Sequence, residues 1–307
     1  MERTMKAAVC TAYGKPNTVK LARVPVPIPK PGQMLIRIRA TALNSGDVRV
    51  RGLKVSGWMK AAMLLVLGWN KPRKPILGTV FAGKVEEING DSKRFRPGDR
   101  VFGLTGFGFG CHAQYLCVSA DGLVEHMPEG ASFTEAAALL FGGQTAHYFL
   151  SRAAIKPQSQ LLVLGAGGSV GIAAVQYGLI AGAEVTALCG ARAREMVYRL
   201  GAHHIIDYRQ VALPNITARF DVIFDAVGLY PKKAVRHLLK SGGKYRTVGG
   251  MNFAAEEAQQ LLWLKQQYER GLLRAVVDSV YPLDEIAAAH SHVDSFHKVG
   301  NVVVTVD

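Results

Sequence analysis

The sequence predicts an α/β protein in which a β-rich domain precedes a doubly wound parallel sheet. The first third of the chain consists of short alternating runs separated by turn residues, and strands alternate with helical segments after about Pro128. In addition, 307 residues is about twice the length of a typical domain. We therefore expect two domains, with a boundary after residue 127.

The composition is that of a globular protein with a basic surface. Lys and Arg number 37 against 23 Asp and Glu, a net charge of +14. The basic residues are spread along the chain and no nucleic-acid-binding motif accompanies them, so we expect no nucleic-acid partner. No apolar run reaches the roughly 18 residues that span a bilayer, and no signal peptide precedes the first strand. The cysteines are scattered without CxxC spacing, which favours the reducing cytoplasm.

The first third of the chain has strand composition. The alternating runs MKAAVCTAYG, TVKLARVPV and MLIRIRATAL come first, and GTVFAGKVEEI, RFRPGDRVFGL and HAQYLCVSA follow. Many short strands with turn signals between them predict a small barrel-like unit.

A different pattern begins after Pro128. Ser132 and Glu135 form a predicted capping box at the start of the helical segment SFTEAAALLFGGQTAHYFLSRA. The apolar strand QLLVLG and a small-residue helix follow, and then the strands AEVTAL, HHIIDY, FDVIFDAVG and GGKYRTVGG. Apolar strands separated by helices predict a buried parallel sheet. A charged helix from Ala254 leads to YPLDEIAAAHSHVDS and a last strand, NVVVTVD.

The segment LLVLGAGGSVGIAAVQYG carries the sharpest functional signal. An apolar strand, a glycine loop and the start of a helix are the context that a dinucleotide-binding GxGxxG motif requires. Gly168 lets the backbone approach a pyrophosphate at the helix N-terminus, and Gly171 permits close packing of helix and strand. With alanine in place of the first glycine, the aligned loop consists of Ala166, Gly167, Gly168, Ser169, Val170 and Gly171.

The second strand of this sheet distinguishes between the two nicotinamide cofactors. An NAD enzyme usually has Asp or Glu about 20 residues after the glycine loop, where it binds the ribose 2′-hydroxyl. Cys189 occupies that position, and GARAR follows. Arg192 and Arg194 suit a 2′-phosphate, although solvated charges at a helix start would give the same sequence. The absent acid and the two arginines together favour NADPH.

In order and spacing, these motifs resemble the medium-chain dehydrogenase/reductase superfamily, specifically its zinc-independent quinone oxidoreductase branch. The likeness is carried by ALNSGDVRVRG, GTVFAGKVEEI, RFRPGDRVFG, EAAALLFGGQTAHYFL, the glycine loop, LGAHHIIDY, FDVIFDAVG, TVGG and GNVVVTV. The resemblance implies a GroES-like catalytic domain, residues 1–127, which the segment 271–307 completes, and a Rossmann NADPH-binding domain, residues 128–270. It also implies hydride transfer to a quinone or an α,β-unsaturated carbonyl.

The resemblance further implies roles for individual residues. Asn44 would contact the nicotinamide or the substrate, and Thr145 the carboxamide end of the cofactor. Both also have a plain structural interpretation, because Asn and Thr are common in turns and caps. The remaining implied cofactor-binding residues are Val227, Val248, Gly249, Gly250 and Asn301.

Zinc alcohol dehydrogenases of this superfamily have a GHExxG segment, from which this chain departs. Thr79 and Val80 stand where His and Glu would be, and the upstream cysteine position falls around Asn44. Without these ligands no catalytic zinc is expected, and hydride delivery to an already electrophilic acceptor remains. Three histidines near the C-terminal end are interpreted as surface residues and not as metal ligands: His290, His292 and His297.

Two further departures leave questions open. Several relatives carry tyrosine two residues after the aspartate that matches Asp47, as a candidate proton donor, and Arg49 stands there instead. Arg49 either stabilises a developing enolate or points to water. Only Met251 to Phe253 separate TVGG from the charged helix, too few for the strand that relatives use in dimers. Either that strand has been lost or a segment is missing from the sequence, so the oligomeric state is left open.

Residues 55–74, VSGWMKAAMLLVLGWNKPRK, concentrate apolar side chains in a span that ends in a basic run. The apolar part is about half the length of a membrane-spanning helix. One interpretation is a core helix of the catalytic domain. The alternatives are a flap that forms an apolar wall over the nicotinamide and a peripheral contact with an anionic membrane.

The leading prediction is therefore an NADPH-dependent quinone or enone reductase that works without zinc. An enoyl-thioester reductase of the same superfamily is one alternative. The other is a dinucleotide-binding interaction protein, at a membrane surface or with RNA, that has little turnover.

Overall fold

The computed structural model describes residues 3–53, 57–250 and 252–307. Two compact units divide the chain: a β-rich unit, Met1–Leu140 with Val277–Asp307, and a Rossmann unit, Phe141–Val276. The domain boundaries expected at 127/128 and 270/271 stay a prediction. Val55, at the start of the apolar segment, lies outside the described residues. Within these residues no helix is long and apolar enough to cross a membrane.

The strands are β1 (Thr4–Cys10), β2 (Val19–Pro25), β3 (Gln33–Leu43), β4 (Val80–Asn89), β5 (Arg100–Leu104), β6 (Tyr115–Ser119), β7 (Val124–His126), β8 (Gln160–Leu164), β9 (Glu184–Cys189), β10 (His204–Asp207), β11 (Phe220–Asp225), β12 (Leu239–Thr247), β13 (Val277–Pro282) and β14 (Asn301–Thr305). The helices are α1 (Ser45–Gly52), α2 (Trp58–Leu67), α3 (Phe133–Ser151), α4 (Ser169–Ile180), α5 (Ala191–Arg199), α6 (Lys232–Val235), α7 (Ala258–Glu269) and α8 (Ile286–Asp294).

The β-rich unit contains two sheets. β1 and β2 form an antiparallel pair, and a seven-stranded sheet has the order β13-β14-β3-β4-β5-β7, with β6 also pairing with β3. β3 lies at the centre because its alternating Met34, Ile36 and Ile38 are fully buried in the core. β14 runs antiparallel to β3 with Val302 opposite Leu43, so the end of the chain completes this sheet.

The Rossmann unit is a parallel sheet in the order β10-β9-β8-β11-β12. Counted along the chain, this is the strand order 3-2-1-4-5 of the doubly wound dinucleotide-binding fold, which confirms the predicted fold class. Leu161, Leu162, Val163 and Leu164 of β8 are completely buried, which explains the continuous apolar run. β12 forms one edge, and in the described stretch from Asn252 to Glu257 no strand extends the sheet beyond it.

Several local predictions can be compared with the structure. Ser132 and Glu135 form the expected capping box, with Ser132 Oγ 3.1 Å from the Glu135 N–H and its own N–H 2.9 Å from Glu135 Oε2. The charged helix expected from Ala254 begins only at Ala258.

The interpretation of His290 as a surface residue is wrong. α8 presents Ile286, Ala289, His290 and Val293 to the core at helical spacing, and the His290 side chain is fully buried. His297 is exposed as expected. His292 is half-buried, with Nδ1 3.0 Å from the Tyr281 hydroxyl.

Candidate active site

The glycine loop connects β8 to α4 by a turn that requires glycine. Gly165 follows β8 directly with a φ of +76°, which glycine adopts without steric cost, so it makes the tight turn one position before Ala166. A Cβ at Gly171 would lie 2.1 Å from the Gly165 carbonyl oxygen. Glycine at both positions therefore lets the first turn of α4 pack against the end of β8.

Gly168, unlike Gly165 and Gly171, has open space beside its Cα. It is the N-cap of α4, and a Cβ there would meet only the Gly165 oxygen, at 3.8 Å. Ser169 and Val170 begin the first turn of the helix, where the leading N–H groups have no acceptor within the helix. A helix N-terminus that begins at a glycine with open space beside its Cα fits a pyrophosphate. The residues present therefore fit a dinucleotide.

Helix α3 packs closely on this loop because of its two adjacent glycines. A Cβ at Gly142 would lie 2.3 Å from the Ser169 carbonyl oxygen, and one at Gly143 would lie 2.4 Å from Leu264 Cδ2 of α7. Thr145 follows on the same helix, 7% exposed, and its hydroxyl donates to the Phe141 carbonyl at 2.7 Å. Because that hydroxyl is used as a donor, its lone pairs are the groups suited to a cofactor amide.

The carboxyl end of β9 carries no acid. Cys189 is 2% exposed, and burial raises the pKa of its thiol to about 11, so the thiol stays neutral. Arg192 and Arg194 are both exposed in the first turns of α5, which follows at once. Arg194 also borders a surface groove of about 450 Å³ beside α5.

Sequence reasoning missed Tyr208, which follows β10. A Cβ at Gly190 would lie 3.1 Å from its hydroxyl oxygen, so the Tyr208 side chain lies against the turn between β9 and α5. No motif marks Tyr208 in the sequence. Its position follows from the parallel pairing of β10 with β9, because residues that follow two such strands lie near each other.

The loops after β11 and β12 are organised by Asp225, which sequence reasoning also missed. Its fully buried carboxylate accepts from the N–H groups of Val227 (3.1 Å), Gly228 (2.9 Å) and Tyr230 (3.0 Å). The Thr247 hydroxyl donates to it at 3.1 Å. One carboxylate thus fixes both loops.

Two close approaches bring these loops to the glycine loop. A Cβ at Gly165 would lie 2.0 Å from Val227 Cγ2, and one at Gly228 would lie 2.7 Å from the Gly249 Cα. The Thr247 hydroxyl also accepts from the Gly249 N–H at 2.9 Å, and Val248 lies between these two residues in the chain. Gly250 is exposed, with a φ of +67°. The structure thus brings Val227, Val248 and Gly249 together beside the glycine loop.

In the β-rich unit, Asn44 is the N-cap of α1. Its Oδ1 accepts from the N–H groups of Gly46 (2.7 Å) and Asp47 (3.2 Å), and its Nδ2 donates to Thr79 Oγ1 at 3.2 Å. Asp47 accepts in return from the Asn44 N–H at 2.9 Å, which completes a capping box. The side chain is 2% exposed, so its structural role as a cap is clear, and a second amide N–H remains for other contacts.

The same end of the sheet holds Asn301. Because Val302 of β14 is opposite Leu43, Asn301 lies at the position next to Asn44, and it is 6% exposed. Asp47 is fully buried beneath, and burial raises its pKa to about 7. Arg49 of α1 is exposed.

A second buried polar group lies in the same unit. The Arg51 side chain has no exposed surface; it donates to the Gly14 carbonyl at 2.9 Å and pairs with Asp294. His112 and His290 pack edge to face with ring centroids 5.9 Å apart. Burial lowers their pKa values to about 3 and about 2, and within the described ranges neither ring has a hydrogen-bond partner.

The positions expected for zinc ligands have other chemistry. The Thr79 hydroxyl accepts a hydrogen bond from Asn44, and Val80 is buried at the start of β4. In the part of the chain that the structure describes, no three His, Cys, Asp or Glu side chains come together as metal ligands do.

Comparison with known proteins agrees with this fold. Residues 30–129 match the alcohol dehydrogenase GroES-like domain, and residues 169–286 match the domain named zinc-binding dehydrogenase. The 2-methylene-furan-3-one reductase of Solanum lycopersicum is 32% identical over 98% of this chain and 79% of its own length. The chloroplastic NADPH-dependent alkenal/one oxidoreductase of Arabidopsis thaliana is 30% identical over 98% of this chain and 80% of its own. The quinone oxidoreductase structure from Coxiella burnetii superimposes with a TM-score of 0.88 at 28% identity, over 99% of this chain and 100% of that chain.

Fold and glycine loop together define an oxidoreductase of the kind that uses a nicotinamide dinucleotide. The chain belongs to the medium-chain dehydrogenase/reductase superfamily, in its quinone oxidoreductase-like branch.

Proposed function

We propose that this protein is an NADPH-dependent reductase that transfers hydride to a quinone or an α,β-unsaturated carbonyl without zinc. The observation that carries the proposal is the open space beside Gly168, the N-cap of α4, together with the loops that Asp225 holds in place. The names of the relatives supply the acceptor class, since they include an alkenal/one oxidoreductase and a quinone oxidoreductase. Free cysteines fit our expectation of a cytoplasmic location.

The proposed cofactor contacts come from the Rossmann unit, with Asn301 of the β-rich unit as one further contact. Bound NADPH supplies the hydride. The backbone at Gly168 and the first turn of α4 bind the pyrophosphate, while Arg192 and Arg194 bind the 2′-phosphate. The proposed contacts at the nicotinamide end are Thr145, Val227, Val248, Gly249, Gly250 and Asn301.

The proposed contacts of the hydride acceptor are polar groups of the β-rich unit. The Asn44 amide N–H that Thr79 does not use is suited to donate to the oxygen of a quinone or enone, where negative charge develops. Arg49, exposed two residues after Asp47, is the proposed cation for that charge. An alcohol would need a Lewis acid to lose its proton, and Thr79 and Val80 offer no ligand pair for one.

Turnover with a panel of acceptors tests the proposal. NADPH oxidation is followed with small quinones, with enones and enals, and with enoyl thioesters, before and after treatment with a chelator. We expect quinones or enones to be reduced at rates that the chelator leaves unchanged. Preference for acyl thioesters would establish the enoyl-thioester reductase alternative. Tight NADPH binding without turnover would establish the alternative of a dinucleotide-binding interaction protein. Stoichiometric zinc that leaves together with activity would refute the zinc-free mechanism.

The cofactor assignment predicts the effect of two substitutions. Changing Arg192→Ala and Arg194→Ala together should weaken NADPH binding by about 1–3 kcal/mol per lost charge-assisted contact, with NADH binding unchanged. Arg199→Ala is the matched control, because Arg199 is exposed on the same helix and pairs with Glu195. Binding is measured by fluorescence titration of both cofactors. Equal affinities of the unaltered protein for NADPH and NADH would contradict the assignment.

A further inference from the structure

Helix α2 has apolar residues on two opposite faces. Met63 and Leu67, one turn apart, pack against the core of the β-rich unit. Leu65 and Val66 of α2 are 65% and 66% exposed, and Trp69, which follows the end of the helix at Gly68, is 68% exposed. A helix at a protein surface normally carries polar residues on its outer face, so this outer face lacks the usual covering of polar side chains.

The outward direction of this face is fixed by the way the helix ends. The Tyr13 hydroxyl donates to the Gly68 carbonyl at 2.9 Å, and the Arg73 N–H donates to the Leu67 carbonyl at 2.6 Å. Lys74 then donates from Nζ to the Phe107 carbonyl at 3.1 Å, which ties in a loop whose Phe107 side chain is 69% exposed. These contacts hold the C-terminal end of α2 in place, with Leu65 and Val66 exposed just before it.

The stretch of chain that contains α2 carries only positive charges. From Val48 to Val85 the sequence contains no Asp or Glu, although it contains eight Lys and Arg. The basic residues in or next to α2 that are exposed to solvent are Lys60, Lys71, Arg73 and Lys74. An apolar helical face with a basic border is the pattern of helices that lie in a membrane interface, where acyl chains cover the apolar groups and anionic headgroups attract the cations.

We propose that the exposed apolar side chains Leu65 and Val66 of α2, Trp69 after it and Phe107 of the loop that Lys74 contacts, with the basic residues beside them, bind the surface of an anionic lipid bilayer. A second copy of the chain is a poor occupant, since a twofold contact would place the same basic border against itself. The proposal goes beyond reductase activity and does not depend on it, because lipid binding is measured without turnover.

Sedimentation of the full chain with lipid vesicles tests the proposal. We expect binding to vesicles of phosphatidylcholine mixed with phosphatidylglycerol, weak binding to phosphatidylcholine alone, and weaker binding as salt is added. Changing Lys60→Gln and Lys71→Gln together should weaken binding about twenty- to thirtyfold, since each basic residue near an anionic surface contributes about fivefold. The control pair, Lys30→Gln with Lys93→Gln, removes equal charge from exposed positions of the same unit and should leave binding unchanged.

The apolar half of the surface is tested separately. Leu65→Gln with Trp69→Gln should abolish sedimentation with anionic vesicles, while Ile28→Gln, at a side chain 86% exposed elsewhere in the unit, should not affect it. Unchanged thermal midpoints show that each variant is folded. Equal binding to neutral and anionic vesicles, equal loss in the control pair, or self-association through this face in place of lipid binding would each overturn the proposal.

Discussion

In the Rossmann unit the buried carboxylate of Asp225 accepts from three backbone N–H groups and a hydroxyl. The imidazoles of His112 and His290, equally buried in the β-rich unit, have no hydrogen-bond partner among the described residues. A buried polar group that is bonded holds its surroundings in one arrangement, whereas one without partners costs free energy when it becomes charged. Hydrogen bonds therefore fix the loops after β11 and β12, while the histidine pair limits stability in acid.

The largest change in the free energy of unfolding should come from removing the hydrogen-bonded carboxylate of Asp225. Asp225→Ala leaves the N–H groups of Val227, Gly228 and Tyr230 without their acceptor and should lower the free energy of unfolding by about 4 kcal/mol. Dinucleotide binding should fall with it, because both loops lose their common anchor.

Asp225→Asn is the matched control for this change. Its single carbonyl oxygen still accepts from Val227 and Gly228, so the loss measured by denaturant unfolding should be about half as large. If the alanine variant were as stable as the unaltered protein, Asp225 would not organise the two loops.

A pair of glycine variants separates packing from binding in the Rossmann unit. Gly171→Ala forces a methyl group to within 2.1 Å of the Gly165 oxygen and should cost about 3 kcal/mol of stability. Gly168→Ala adds its methyl group to open space, so stability should change by about 1 kcal/mol while dinucleotide affinity is lost. Unfolding curves and cofactor titrations measure both. A Gly168→Ala protein that binds NADPH normally would show that the pyrophosphate lies elsewhere.

The pH dependence of the histidine pair is a smaller effect than the loss of the Asp225 carboxylate. The folded-state pKa values of His112 and His290, about 3 and about 2, lie below the ordinary value of 6.5. Just below pH 6.5, these two imidazoles therefore take up protons in the unfolded chain and not in the folded protein. Stability is therefore full above the unfolded pKa and is lost as the pH falls, by about 1.4 kcal/mol for each imidazole at about pH 5.5.

Replacing both rings tests this dependence. In the His112→Leu, His290→Leu protein, the loss of stability between about pH 7.5 and pH 5.5 should shrink by the contribution of the pair. Denaturant unfolding at the two pH values gives the slope. An unchanged slope would assign the acid sensitivity to other groups.

The sequence predicted the Rossmann unit better than the β-rich unit, for physical reasons. Strands buried on both faces are continuous apolar runs, so β8, β9 and β11 stand out from their surroundings. β13, VDSVYP, has exposed residues at every second position and was not predicted, and neither was β7, which has three residues. Short or half-exposed strands depend on their neighbours, which a single sequence does not show.

Some residues of the candidate site could be predicted from the sequence and others could not. Gly168 and Gly171 follow from a motif with a mechanical reason for each glycine, and the structure gives them different surroundings. Asp225 and Tyr208 were missed because their importance lies in contacts between loops that are distant in sequence. His290 was misplaced because a short helix with alanines around the histidine does not show which face is buried.

The pairing of β14 with β3 has a consequence for the synthesis of this protein. The Rossmann unit is one uninterrupted stretch, Phe141–Val276, and the ribosome completes it before β14 exists. Until then the Ala40–Leu43 edge of β3 lacks its partner strand and is open to incorrect pairing. Asn301 reaches the position beside Asn44 only after the whole Rossmann unit has been synthesised. A nascent chain whose Rossmann unit has already folded therefore still lacks one strand of the β-rich sheet.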